Sequence, residues 1–204
     1  MVSSSASTCR SDAGASDVRT SGSPEVRKSG RIRCETVDGT SALTEVRGGD
    51  PLKLIPVRGR GPACTVCVAT YGGGFLAGDR VDLDVGVGPG AALVLSTQAH
   101  TKVYRSDGAW SENRLSVTVA DGGLLALLPD PLTPYATARF RQVQDVDLNA
   151  DAGLILLDWM TSGRQARGEH WAFDQVDLRS RIRIGGRLRC QEALTLRGPD
   201  GGGP

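Results

Sequence analysis

The chain has 204 residues, with 24 Lys and Arg against 23 Asp and Glu, a formal net charge of +1 and a sequence pI of about 7.6. That balance supplies no basic field to hold nucleic acid, and an aromatic content of 4% leaves few platforms for stacking single strands. No run of about twenty apolar residues is available to span a bilayer, so neither nucleic acid nor membrane is an expected partner.

Residues 1–29 are Ser, Gly and Asp with almost no large apolar side chain. Such a segment cannot bury enough surface to offset its ordering entropy, which predicts a disordered arm. It lacks the apolar stretch of a secretory signal. Its serines and arginines suit an organelle transit peptide, but Asp12, Asp17 and Glu25 count against one. Five cysteines at irregular spacing fit a reducing, cytoplasmic setting.

From residue 30 to 197 a period of two dominates and no helical stripe stands out, predicting one mostly β domain, with 198–204 an unstructured tail. Cys64 and Cys67 form a CxxC inside the β-branched run PACTVCVAT. Residues three apart on a strand face opposite ways, so the two thiols cannot share one ion. In YGGGFLAGDR (71–80), Gly73 and Gly78 have the spacing that opens a phosphate-binding loop. Asp79 and Arg80 stand where that loop needs a lysine and a hydroxyl, and a carboxylate aimed at a polyanion repels it. The stretch therefore reads as a tight connection using positive φ, and no nucleotide binding is expected.

Three near-repeats follow: VDLDVGVGPGAALVL, LSVTVADGGLLALL and VQDVDLNADAGLILL, aligned on Gly90, Gly123 and Gly153. A period of this size marks stacked coils or layered hairpins. Before the first turn, Val81, Leu83, Val85 and Val87 alternate with Asp82, Asp84 and Gly86, as in a strand covered on one face. After each turn, AALVL, LLALL and LILL are apolar at nearly every position, predicting a central layer buried on both faces. The expected fold is all-β: an elongated layered sandwich or an irregular β-helix built from stacked hairpin-like units.

The last two strands, VDLRSRIRI and RLRCQEALTL, form a hairpin. A three-residue turn over Gly185–Arg187 pairs Ile184 with Leu188, Ile182 with Cys190, Leu178 with Leu194 and Val176 with Leu196, whereas a two-residue turn sets Ile184 against Arg187. The pattern favours the longer turn, which places Arg183 opposite Arg189. Arg179, Arg181, Arg183 and Arg189 then form a solvated face or a surface for an acidic partner.

The segment GGGFLAGD followed by GPGA-x-L, then STQAHTKVYRS, LLPDPLTPYATARFRQ and SGRQARGEHWAF, resembles the urease accessory protein family UreD, also called UreH. The likeness spans Gly30 to Arg197, and the LP segment is similar to its plant and fungal form. It implies a mostly β, non-enzymatic scaffold on which a helical accessory protein and a nickel-carrying GTPase assemble. Through it nickel would reach apo-urease by an internal wet passage, in transit and with no stably bound cofactor. His100 and His170 do not match family ligands. The matching motif positions are Gly73, Gly78, Asp79 and Arg80; Thr97, Gln98, Thr101, Lys102, Tyr104 and Arg105; and Gly163, Arg164, Gly168 and Glu169. Asp79, Lys102, Arg105, Arg164 and Glu169 are expected to pin loops together, line the path or meet a partner. Family members continue with further strands, so the chain reads as a C-terminally shortened form. The competing reading is a β-helical enzyme acting on carbohydrate through paired carboxylates such as Asp82 and Asp84 or Asp145 and Asp147, but with few aromatic platforms.

Overall fold

The computed structural model describes residues 28–59 and 61–199. Most of the expected arm and the last five residues lie outside these. In chain order the strands are β1 (Lys28–Val37), β2 (Thr40–Arg47), β3 (Leu52–Val57), β4 (Cys64–Thr70), β5 (Gly74–Phe75), β6 (Arg80–Val87), β7 (Ala92–Thr97) and β8 (Thr101–Val103). They continue as β9 (Ser111–Val119), β10 (Leu124–Leu128), β11 (Leu132–Pro134), β12 (Arg139–Leu148), β13 (Gly153–Leu156), β14 (Gln175–Ile184) and β15 (Arg187–Arg197). Helical structure among the described residues is two short 3₁₀ turns, Tyr71–Gly73 and Gln165–Arg167.

The strands wind into a β-helix with three sheets. The first has the order β15-β14-β12-β9-β6-β1-β2, the second β13-β10-β7-β4-β3 and the third β11-β8-β5. The chain visits them in rotation: β4, β5, β6; β7, β8, β9; β10, β11, β12; then β13, a single bridge from Met160 to Leu132, and β14. Successive coils stack in parallel, while β2, β3 and β15 fold back antiparallel at the ends.

Alternation decides what each strand buries. In β6, Val81, Leu83, Val85 and Val87 are all 7% exposed or less. The parallel register places Ile32, Val85, Val117 and Val146 in one row across four strands. All four are at most 2% exposed, and burying one such side chain contributes about 1.5–3 kcal/mol. Outward positions of the same sheet form charge rows. Arg80, Glu112, Arg141 and Asp177 lie side by side, with Glu112 3.4 Å from Arg80 and Arg141 3.6 Å from Asp177. Burial pushes the Glu112 carboxyl up, but Arg114, Arg80 and Arg141 together outweigh it and hold the group below its ordinary value.

Three expectations need correction. First, the turns stack on Ala92, Leu124 and Gly153, so Gly123 aligns with Ala91 instead of Gly90. The chain reaches the same corner because the turns differ by one residue. Second, β7, β10 and β13 are not a central layer. Their inner residues Leu93, Leu95, Leu125 and Leu127 are buried, but the outward Leu124, Leu128 and Ile155 are 40%, 39% and 53% exposed. The outward positions are apolar, yet no third layer covers them among the described residues. Third, the β14–β15 turn has two residues, Gly185 and Gly186, at φ 56° and 73°, the left-handed pair that a tight hairpin requires. Ile184 does face Arg187, and Arg183 faces Leu188, not Arg189. A bulge beside Ile182 then adds one residue to β15 and restores the apolar register: Ile182 to Cys190, Leu178 to Leu194 and Val176 to Leu196.

Candidate functional site

The third sheet is built from pieces two or three residues long, each contributed by one of the sequence motifs. Gly74, Lys102 and Thr133 align across it, and Phe75, Val103 and Pro134 form the next row. Backbone bonds continue the stack: Tyr104 N–H to Phe75 O (2.9 Å), Tyr135 N–H to Val103 O (2.9 Å) and Thr161 N–H to Leu132 O (2.9 Å). Motifs some thirty residues apart thus meet because each is the same corner of a successive coil. The close stacking demands glycine at position 74, where a Cβ would lie 2.5 Å from Lys102 O and 2.9 Å from Tyr104 Cε2.

Side chains link the coils. Tyr104 donates its hydroxyl to Gly72 O at 2.8 Å, and its ring meets Tyr135 edge to face at 5.5 Å. The Arg164 guanidinium lies over the Tyr135 ring, 4.5 Å from its centroid. Arg164 donates to both carboxylate oxygens of Glu169, Arg105 donates to Oε1 at 2.9 Å, and Ala136 N–H donates to Oε2 at 3.2 Å. Glu169 is 7% exposed. The Arg164 hydrogen bonds, opposed by burial and reinforced by Arg105 and Ala136, hold its carboxyl down at about 2.

Of the five residues expected to pair, the structure joins Arg105, Arg164 and Glu169. Asp79 instead closes its own loop, accepting from Leu76 N–H at 2.9 Å, beside Gly78 at φ 86°. Lys102 joins no ion pair among the described residues. Arg80 turns to the first sheet, toward Asp82 and Glu112. Thr97 donates to Asp130 Oδ2 at 2.9 Å and accepts from Asp130 N–H at 2.7 Å. Gln98 N–H donates to Val68 O, and Gly73 and Gly168 adopt positive φ. Arg181 and Arg183 pair with Asp145 and Asp147 at 2.6 and 3.4 Å, while Arg189 is the bulged residue and Arg179 is exposed. The paired aspartates are thus arginine partners: Asp84 also meets Arg33 at 2.6 Å.

Beneath the motif corner lie two adjoining cavities of about 90 and 140 Å³ that share Leu52, Val68, Val81, Thr97, Thr101 and Asn113. Here the interior changes character. The inward row Val81, Asn113, Gln142 and Leu178, and the next, Leu83, Leu115, Gln144 and Ser180, are part polar. Gln142 donates to Asp158 Oδ2 at 2.9 Å, and Ser180 donates to Gln144 at 3.4 Å. Burial raises the Asp158 carboxyl above its ordinary value, Gln142 opposing and Glu192 adding to the rise. Gln98 and His100 line the second cavity, and His100 Nδ1 lies 3.3 Å from the Thr133 hydroxyl. Asn113, Gln142, Gln144 and Asp158 were not singled out in the sequence. The first three share the inward parity of Leu115, Val117 and Phe140, and that polar break in an apolar alternation is the signal that marks them.

Cys64 and Cys67 take opposite faces of β4, pairing with Leu93 and Ser96 respectively. The Cys34 thiol is pushed up to about 12 by burial and by neighbouring Cys64. No group of three or more His, Cys, Asp or Glu placed to hold a metal occurs among the described residues.

Residues 27–202 match the profile of the family described as UreD urease accessory protein. Over 167 residues the chain is 46% identical to a urease accessory protein UreD of Anaeromyxobacter sp. (strain Fw109-5), covering 82% of this chain and 56% of that one. It is 39% identical to urease accessory protein D of Arabidopsis thaliana, over 71% of this chain and 51% of the relative. It is 34% identical to a protein of Schizosaccharomyces pombe named an uncharacterized ureD-like urease accessory protein, again over 71% and 51%. The chain spans about half the length of these curated relatives.

Proposed function

The chain belongs to the UreD urease accessory protein family, and from that premise we propose that it is a non-enzymatic scaffold for delivering nickel to apo-urease. Its partners on this reading are apo-urease, a helical accessory protein and a nickel-carrying GTPase, in the cytoplasm. Nickel is cargo, not a resident cofactor.

The observation that carries the reading is the mixed interior beneath the motif corner, where Thr97, Asn113, Gln142 and Gln144 interrupt a lining that is otherwise mostly apolar. A solenoid whose core were uniformly aliphatic would exclude a hydrated cation. Here amides, hydroxyls and the Asp130 and Asp158 carboxylates face the cavities. Such oxygen and amide groups exchange with water and hold a divalent ion weakly, whereas clustered imidazole or thiolate would retain it. Cys34 favours its protonated form and is a poor soft ligand. The Arg105–Glu169–Arg164 junction holds the corner together: it ties loops from three coils to one carboxylate.

The test is co-expression with apo-urease and the remaining maturation proteins, followed by affinity capture and measurement of nickel per urease. Capture of the helical partner together with raised nickel content supports the scaffold. Nickel content equal to that of cells lacking the chain defeats it.

A further inference from the structure

Each coil closes the corner between the first and second sheets with a pair of inward side chains. Val87 and Leu93 flank the turn 88–92, Val119 and Leu125 the turn 120–124, and Leu148 and Leu154 the turn 149–153. The parallel ladders stack these pairs in two rows: Val87, Val119 and Leu148 on the first sheet, and Leu93, Leu125 and Leu154 on the second. Cys34 continues the first row beside Val87, and Cys64 continues the second beside Leu93. The corner that is aliphatic in three later coils is therefore a pair of thiols in the first. Cys34 is 0% exposed and donates its thiol to Ala92 O at 3.6 Å, next to the leucine against which Cys64 stacks, and Cys64 is its other hydrogen-bonding neighbour. Cys64 is half-buried, so the pair is accessible from one side. Cys67, of opposite parity on β4, faces away from it.

We propose that Cys34 and Cys64 are an oxidisable pair, which a small disulfide such as glutathione disulfide converts into an intramolecular disulfide that joins β1 of the first sheet to β4 of the second. The Cys64 sulfur attacks one sulfur of glutathione disulfide, and the first glutathione leaves as a thiolate that takes up the Cys64 proton. Cys34 then attacks the Cys64 sulfur, the mixed S–S bond breaks, and the second glutathione leaves with the Cys34 proton. Two protein thiols are oxidised and one glutathione disulfide is reduced to two thiols. Burial pushes the Cys34 thiol up to about 12, so the accessible Cys64 reacts first and closure by Cys34 is the slow step. A reducing milieu keeps the corner as two thiols, and an oxidising one staples the first coil across the core.

The inference is independent of nickel delivery, and its test uses the whole chain. The folded 204-residue protein is incubated with excess glutathione disulfide at about pH 8, where thiol exchange is fast, and its peptides are mapped by mass spectrometry without reduction. The Cys34 and Cys64 peptides are found joined with the loss of two hydrogens, Tm rises by roughly 5–10 °C, and dithiothreitol reverses both changes. Cys34→Val, which supplies the side chain found at the same corner of the next coil, leaves glutathione on Cys64 and gives no such rise. Cys64→Leu likewise forms no link to Cys34, and Cys67→Ser keeps both the link and the rise. Glutathione that stays on wild-type Cys64 without closure, a link between Cys64 and Cys67, a Cys34–Cys64 link that forms only in urea, or a link that leaves Tm unchanged overturns the proposal.

Discussion

Replacing Glu169 with Gln removes the one charge that joins Arg105 and Arg164. The folded carboxyl sits at about 2 against an ordinary value near 4.5, a difference that converts to roughly 3 kcal/mol at full strength. Arg105 is 64% exposed on its side chain, so solvent screens part of the interaction and about 1–2 kcal/mol is the expected loss at neutral pH. For a chain of this size that lowers Tm by about 3–6 °C. Because the folded value is depressed, the contribution is complete above about pH 4.5 and fades as pH falls toward 2. Urea unfolding of wild type and E169Q at pH 7, 5, 4 and 3 therefore shows a gap that is constant at the upper two values and narrows below them. Equal stability at pH 7, or a gap that stays constant down to pH 3, refutes the reasoning.

Gly74→Ala places a methyl against the Lys102 carbonyl and separates the first two rungs of the third sheet; a loss of about 2–3 kcal/mol is expected in thermal unfolding, and an unchanged Tm contradicts the packing. Alkylation followed by mass mapping at pH 8 labels exposed Cys190 well before buried Cys34, whose thiol is held near 12; equal rates in the folded protein count against that assignment. Arg164→Glu sets like charges against Glu169 and so lowers both stability and nickel delivery to co-expressed urease, whereas Lys102→Ala, outside the ion-pair junction, has the smaller effect on stability. A calorimetric titration with GTP gives no heat of binding, since Asp79 bonds its own loop; micromolar binding abolished by Asp79→Ala would reverse this.

How much was legible in the sequence depended on strand length. β6 has eight residues and β12 ten, long enough for alternation to identify the buried side. β5, β8 and β11 have only two or three, too few to show any period, so the third face of the coil could not be read. Uninterrupted apolar runs in β10 and β13 suggested burial on both sides, but composition does not say whether a covering layer is present. The hairpin register was correct from Ile182 onward because burial enforces it; near the turn the Gly-Gly geometry prevailed and a bulge absorbed the mismatch. The site residues came from motif resemblance, which gave five charged residues expected to pin loops together but not that Arg105, Arg164 and Glu169 are the three that meet. Their sequence separation closes only once the coil period is known. The cavity residues Asn113, Gln142 and Gln144 were visible as polar breaks in inward positions, yet such breaks equally suit a satisfied buried amide.

The proposed route takes nickel through the part-polar interior of the coil stack. Asn113→Leu with Gln142→Leu replaces both amides by hydrocarbon of similar reach, and circular dichroism and Tm establish that the fold persists. Nickel bound per urease, measured by mass spectrometry after co-expression with the maturation proteins, then falls to the level of cells lacking the chain, while affinity capture of the helical partner is retained. Full nickel loading by the folded double variant would contradict the account.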